Sequence, residues 1–329
     1  MKTQACAAFL AALILPATAG EKTPKPETKA PAAKTRDWCE WLSDKPGEFY
    51  KDNDNPWIDK FRIAGRFHYQ AGHVSGDDVR GQHFSDSFDE FRRARLETEI
   101  GFLKFFDAEV GVNLVDDRRF HAEAPNDLDW GYDTFDNAIL SFNAGKAFGT
   151  GPFDKIKVHY GRMKLKVTEE VHTSSNKIIT IERSAIADKL GGEQNRPTGA
   201  TLELEKGAWS GTLGVFSGED DSEFIGGWND GEFYYASLAW QVNEAFRLLF
   251  DHVQNNQHGA DDALGYGHAS SLSAVYEEPN WGLLVNLIAG DNGSFALVPE
   301  RQGDFHGAVV MPWYWLLEDR LQLVGRYQY

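Results

Sequence analysis

The chain has 329 residues and a formal net charge of −17, with 33 Lys and Arg against 50 Asp and Glu. That balance excludes nucleic-acid binding, which needs a basic footprint. The 32 Gly, 22 Phe, 11 Tyr and 10 Trp, against 3 Met, suit many strands joined by turns in one large β domain. A soluble aromatic-rich β-sandwich or lectin is the alternative that composition leaves open.

Met1, Lys2 and Thr3, an apolar stretch over 5–16 and Ala17-Thr18-Ala19 before Gly20 predict a signal peptide over residues 1–19. The apolar stretch is too short to cross a bilayer as a helix, and no later stretch reaches the roughly 18 apolar residues a helix needs. Cys6 precedes the apolar core, so the leader is not of the lipoprotein kind. Cleavage leaves Cys39 alone, with no internal disulfide. Residues 21–36, EKTPKPETKAPAAKTR, lack anything with which to build a core and read as a flexible periplasmic lead. Over 37–56, Trp38, Trp41, Phe49 and Tyr50 stand among charges, which suits either a short amphipathic plug or a turn-rich cap. Lead and cap together take residues 20–60.

Alternation begins at Phe61. In FRIAGRFHYQA, Phe61, Ile63, Phe67 and Tyr69 fall on one face of a strand and Arg62, Arg66, His68 and Gln70 on the other. EFRRARLETEIGF repeats the pattern, with Ala94, Leu96, Thr98 and Ile100 against Arg93, Arg95, Glu97 and Glu99. Further runs lie at 108–114, 137–142, 155–163, 200–204, 209–215, 233–240, 246–253, 268–276, 281–289, 307–315 and 321–329, thirteen in all. Arg62, Arg66, Arg93, Arg95, Lys157 and His159 occupy polar faces, whereas 76–78, 124–130 and 218–224 are acidic and fall between runs. Basic wall residues are thus separated from acidic loops, with Glu97, Glu99 and Asp251 as exceptions. A sandwich facing bulk water has no need to group charge this way, but a wide barrel around a lumen does.

Two stretches resemble the phosphate-selective porin family, outer-membrane channels for orthophosphate and polyphosphate. One is FRIAGRFHYQ followed by EFRRARLETEIGFL, similar to the family's first hairpin. The other is Gly161-Arg162-Met163-Lys164, then Glu170, Thr173-Ser174-Ser175 and Ile181-Glu182-Arg183-Ser184, which resembles in type and spacing the family's Gly-Arg-Phe-Lys, Glu, Thr-Ser-Ser and Glu-Arg-Ser signature. Similarity extends weakly over most of 61–329, and the first sixty residues are not covered. The resemblance implies an all-β, transmembrane, antiparallel up-and-down β-barrel of residues 61–329, exported to the bacterial outer membrane, trimeric, cofactor-free and open to small anions. It also implies pore-lining cations at Arg62, Arg66, Arg93, Arg95, Lys157, Arg162 and Lys164. A constriction loop would carry Thr173, Ser174, Ser175, Arg183 and Ser184.

Guanidinium groups offer forked donors that match phosphate oxygens, and lysine supplies a point charge. For any one arginine, bridging to Glu97, Glu99 or a loop carboxylate is as good a reading as ligand contact. A strict period from Val158 and Tyr160 turns Arg162 outward, so a bulge or the membrane rim has to place it. For 173–184, an exposed external loop is the competing reading.

The sequence departs from the family in having Lys166-Val167 where members carry Pro-Phe. Thirteen runs also contrast with the family's sixteen strands, and bacterial barrels have even numbers. The ending LQLVGRYQY resembles both a barrel-insertion signal and an internal family strand; parity favours a chain lacking its last hairpins. Enzymatic motifs are weak: no His-x-x-x-His pair, no Cys cluster and no Gly-x-Ser-x-Gly is present. DNDN at 52–55 and GADD at 259–262 read as solvated turns ahead of calcium loops, because the other ligands of such loops are missing. A general diffusion porin, an outer-membrane barrel hydrolase using lumen or loop His and Asp, and a soluble periplasmic binding domain remain the alternatives.

Overall fold

The two-residue alternation becomes a single antiparallel sheet in the computed structural model, which describes residues 47–77, 80–115, 130–191, 196–219, 227–229, 231–256, 263–293, 302–318 and 320–329. The leader, the lead with Cys39, and the acidic residues at 116–117, 124–129, 220–224 and 259–262 lie outside the described residues.

Fifteen strands follow in order: β1 (Glu48–Lys51), β2 (Ile58–Asp77), β3 (His83–Phe102), β4 (Phe106–Val115), β5 (Trp130–Phe142), β6 (Lys155–Arg162), β7 (Thr198–Lys206), β8 (Trp209–Ser217), β9 (Glu232–Gln241), β10 (Phe246–Asn255), β11 (His268–Glu278), β12 (Trp281–Asp291), β13 (Asp304–Leu317), β14 (Leu321–Val324) and β15 (Tyr327–Gln328). Three short helices interrupt them: α1 (Ala144–Phe148), α2 (Glu169–His172) and α3 (Ala185–Gly191). Each strand pairs with the next from β1 to β14, and β15 pairs with β13. Among the described residues no ladder joins β1 to β14 or β15. All thirteen sequence runs appear as strands, the last divided between β14 and β15. β1 is an addition, inside the stretch that sequence leaves between plug and cap.

Register fixes the faces. Arg62 opposes Glu99, Arg66 opposes Arg95 and His68 opposes Arg93, while Phe61 opposes Ile100 and Phe67 opposes Ala94 on the reverse side. Farther along, Ser237, Asp251 and Ser271 form one cross-strand row, and Leu238, Phe250, Leu272 and Leu287 another. The apolar rows are the exposed ones: Phe67 is 59% and Leu213 and Leu287 are 53% exposed, whereas Asp251 and Asn286 are 0% exposed. Water would impose the reverse arrangement. A hydrocarbon surround favours this one, since an apolar outer band and a polar interior alternate along every strand of a membrane barrel.

Connections at one end of the sheet are short, at 103–105, 207–208, 242–245 and 279–280. Aromatic pairs gather beside them. Trp209 and Trp240 stack with centroids 5.0 Å apart, Tyr276 lies 5.1 Å from Trp281, and Phe106 lies between Phe102 and Phe142 at 5.5 and 5.0 Å. Such rings suit a membrane–water interface, which accepts an apolar body with a polar edge.

The longest connection runs over 163–197, and its described residues 163–191 do not leave the sheet but lie against its inner face. Its Met163, Leu165, Val167 and Leu190 pack with Phe216, Phe233, Tyr235, Val253, Ala269 and Ile288 of the wall. The same connection touches Arg66 of β2, Arg92 and Arg93 of β3, and Arg326 beyond β14. One segment meets both ends of the strand order only because the sheet curls around it.

Candidate functional site

The wall facing this docked segment is charged over β2–β7. Arg62 Nη1 lies 3.9 Å from Glu99 with its side chain 46% exposed. Arg66 Nη2 lies 3.2 Å from Glu97, and Arg66 Nη1 donates to Ser175 Oγ. Lys157 is 3.6 Å from Asp107. Toward the short-turn end, Lys155 donates to Glu203 at 2.8 Å and Glu205 at 2.7 Å, and His159 Nδ1 meets Ser141 Oγ at 2.7 Å.

Three irregularities redirect side chains that strict alternation would misplace. The β2–β3 register shifts between His68 and Tyr69, leaving Arg92 as an extra residue opposite that step. Consecutive arginines therefore reach the same carboxylate: Arg92 Nε and Arg93 Nη2, the latter at 3.2 Å, both donate to Glu182. Arg93 also meets His68 Nδ1 at 3.2 Å. In the β4–β5 pair a shift at Gly111 and Val112 makes Asp136 the extra residue. Its carboxylate is held by Arg95 at 3.2 Å and by Arg196 Nε at 3.0 Å, and Arg95 Nε donates to Asn113 at 2.7 Å. The third is Gly161, whose φ of +128° breaks the period of β6. Beyond it Arg162 bonds the Phe135 carbonyl at 2.9 Å and Thr134 Oγ1 at 3.3 Å, on the face where Thr134 opposes Asn113. Bulges re-aim side chains in this way.

Within the docked segment the signature residues build its own frame. Glu170, buried, accepts the Ser184 N–H at 3.0 Å and the Ser184 hydroxyl. Arg183 donates to the carbonyls of Glu170 at 2.7 Å and Thr173 at 3.0 Å. Lys164 Nζ donates to the Val171 carbonyl at 2.9 Å, Thr173 Oγ1 meets Glu169 at 3.4 Å, and the Ser174 carbonyl accepts from Lys177 N at 2.8 Å. Of the hydroxyls expected in a constriction, Ser175 is the one joined to a wall arginine; Ser184 is 0% exposed.

The segment enters at Thr168, with φ 79° and ψ 152°. That region is nearly reserved for glycine and costs about 1–3 kcal/mol. Its N–H donates to Asp251 Oδ2 at 3.0 Å, and Asp251 Oδ1 lies 2.9 Å from His172 Nε2 and accepts from Tyr235 OH at 3.1 Å. Next along, Glu169 pairs with Arg247. Burial pushes the Glu169 carboxyl above the ordinary carboxylate range, and Arg247 and His172 pull it part of the way back. Sequence reasoning missed Arg92, Arg196 and Arg247, and named Glu182 only within the signature, without a role. The Arg-Arg pair within a strand was the one available signal, because one of two neighbours has to face lipid unless a bulge intervenes.

At 52–55 the side chains close a local turn: Asp52 Oδ1 accepts Asp54 N and Asn55 Oδ1 accepts Trp57 N, both at 2.9 Å. Among the described residues no group of three or more His, Cys, Asp or Glu is placed to hold a metal ion. None of their helices is long and apolar enough to cross a membrane.

A continuous up-and-down sheet, apolar outside and charged inside, with one long connection folded against its inner face, defines a β-barrel pore of the bacterial outer membrane. The chain belongs to the phosphate-selective porin O and P family, whose model matches residues 61–232. That match includes the arginine hairpin β2–β3 and the entire docked segment. Among solved structures the chain is similar to Salmonella typhi OmpF in complex with daunomycin, at 10% identity and TM-score 0.40, covering 86% of this chain and 100% of that one. No curated protein matches.

Proposed function

We propose that this outer-membrane porin passes small anions, phosphate or polyphosphate, by passive diffusion past a basic wall. The observation that carries the reading is the contact of Arg66 with Ser175, residues 109 positions apart, which sets the docked segment against the arginine face. The passage beside that contact is bordered by Arg62, Arg66 and Lys157, with Arg93, Arg95, Arg162 and Lys164 set behind them against carboxylates and carbonyls. The family description supports phosphate as the ion. A guanidinium has five N–H donors, and the Arg62 side chain is 46% exposed beside Glu99, so that pair leaves donors for a passing anion. A trimer, export by the leader 1–19 and a lead and short cap over 20–60 complete the proposal, with β1 and the first residues of β2 joining the sheet from within that stretch.

Carboxylates beside Arg62, Arg66, Arg93, Arg95 and Lys157 favour a second reading, a general diffusion porin with an internally neutralised wall. Reversal potentials in planar bilayers under asymmetric KCl separate the two, with phosphate titrated against the chloride current. Anion selectivity and block by phosphate are expected, the block weakened in Arg62→Ala and Arg66→Ala. The net charge of −17 does not decide this, since exposed loop charges are screened beyond about 8 Å at physiological salt and the wall acts at contact. A cation-selective wild-type channel would sink the phosphate reading.

A further inference from the structure

The bend that carries the chain from β6 into the docked segment is locally unfavourable in three ways. Thr168 adopts φ 79° and ψ 152°, it is β-branched, and it is 0% exposed with no hydrogen-bond partner for Oγ1. Such a conformation persists only where its surroundings over-determine it. No proline stands between Gly161 and Arg196, so no proline ring sets its direction.

Three wall groups flank the bend: the Tyr235 hydroxyl on the Lys166 carbonyl at 2.5 Å, Ser273 Oγ on the Glu169 N–H at 3.2 Å, and between them Asp251, the one that takes the N–H of Thr168 itself. Asp251 stands on the inner face of β10 between Ser237 and Ser271, 0% exposed, with both carboxylate oxygens engaged. Oδ2 takes the Thr168 N–H, and Oδ1 meets His172 Nε2 one turn farther along the segment and lies 3.1 Å from the Tyr235 hydroxyl, whose one proton it shares with the Lys166 carbonyl at 2.5 Å. A charge withdrawn from water is costly unless its hydrogen bonds are made. Two of the three partners here, Thr168 and His172, belong to the segment and not to the wall. The other arm of the segment is fixed separately, through Glu182 to Arg92 and Arg93 of β3.

We propose that Asp251 is a positioning residue of the pore, a latch that holds the strained entry of segment 163–197 to β10 and so sets the width of the passage. This rests on the segment's being the constriction. Leu165, Val167 and Leu190 keep their apolar contacts without the latch, so its loss should loosen the first arm and leave the barrel folded.

Single-channel recording in planar bilayers with KCl alone, paired with limited proteolysis of the purified protein, tests the proposal. Asp251→Ala should raise unit conductance about 1.5-fold or more, because conductance follows pore width, and add transitions between levels and new cleavage within 163–172. Thr168→Gly alone should leave conductance unchanged, because glycine holds a positive φ without help. Combined with Asp251→Ala, Thr168→Gly should bring conductance back toward the wild-type value. Loss of a merely structural wall residue would not be relieved that way. Asp251→Asn, which keeps one carbonyl acceptor, should be intermediate and serves if the alanine variant does not fold. Wild-type conductance and cleavage in the folded Asp251 variants, or no rescue by Thr168→Gly, would overturn the latch. A wild-type channel without anion preference would overturn the phosphate reading and leave this one standing, since chloride alone is used.

Discussion

Charged side chains inside the barrel divide by how far they are withdrawn from water. Arg93 and Arg95 are 4% and 8% exposed, and removing either takes away one of the two arginines that hold Glu182 or Asp136. Breaking a buried pair from one side costs up to about 3–5 kcal/mol, and less where a second arginine stays on the carboxylate, against roughly 0–1 kcal/mol for an exposed pair such as Arg62 with Glu99. Alanine at Arg93 or Arg95 therefore tests folding more than permeation, whereas Arg62 reports on the anion path. Glu169 supplies a pH test of the same contrast. Burial raises its folded-state pKa above the unfolded value, so between the two values the folded chain binds more protons than the unfolded one. Stability then falls as pH climbs through that window and levels off above it. The midpoint of heat-modifiable gel migration, followed upward from the ordinary glutamate range, should show this fall in the wild type and lose that component in Glu169→Gln. Superimposable profiles would remove the argument.

The strands of the barrel are shaped as much by their irregular positions as by their alternation. Gly161 is the clearest case: an added methyl would sit 2.0 Å from the Ala138 carbonyl oxygen, on a backbone at φ +128°. Gly161→Ala should cost more than the roughly 1–3 kcal/mol of the backbone term alone and lower the yield of heat-modifiable protein. Normal yield with an unchanged unfolding midpoint would show that β6 can straighten. These positions also mark the limit of what sequence conveys. Period-two patterning located every strand from β2 to β14, because the choice between lipid and lumen is enforced at each residue. It could not show the extra residues Arg92 and Asp136, since a bulge depends on the partner strand's register. Nor could it show what lies against β9–β12, where Phe233, Val253, Ala269 and Ile288 make the inner face apolar as well. Two apolar faces on one strand imply a cover. The signature at 161–184 named the segment that supplies it, although the notion of hydroxyls turned toward an anion fits Ser175 better than Ser184.

At the scale of the whole molecule, the apolar face must meet hydrocarbon and the charged face must not, and one pair of neighbours in β8 separates the two environments. Leu213 opposes Leu202 and Ala236 on the outer face near the middle of the strand, and Thr212 opposes Glu203 and Ser237 on the inner face. Arginine at a lipid-facing midplane position costs roughly 2–4 kcal/mol, and lumenal positions tolerate charge. At Thr212 the new guanidinium would also stand across from the Glu203 carboxylate, a charge-assisted bond that offsets part of its desolvation. Leu213→Arg should therefore destabilise the protein by about that amount, whereas Thr212→Arg should change it by no more than about 1 kcal/mol. Urea titration of folding into phospholipid vesicles, monitored by tryptophan fluorescence, measures both. The comparison does not depend on which ion passes or on how the docked segment is held. Equal costs, or a larger cost at Thr212, would mean that the outer face of β8 is not against lipid.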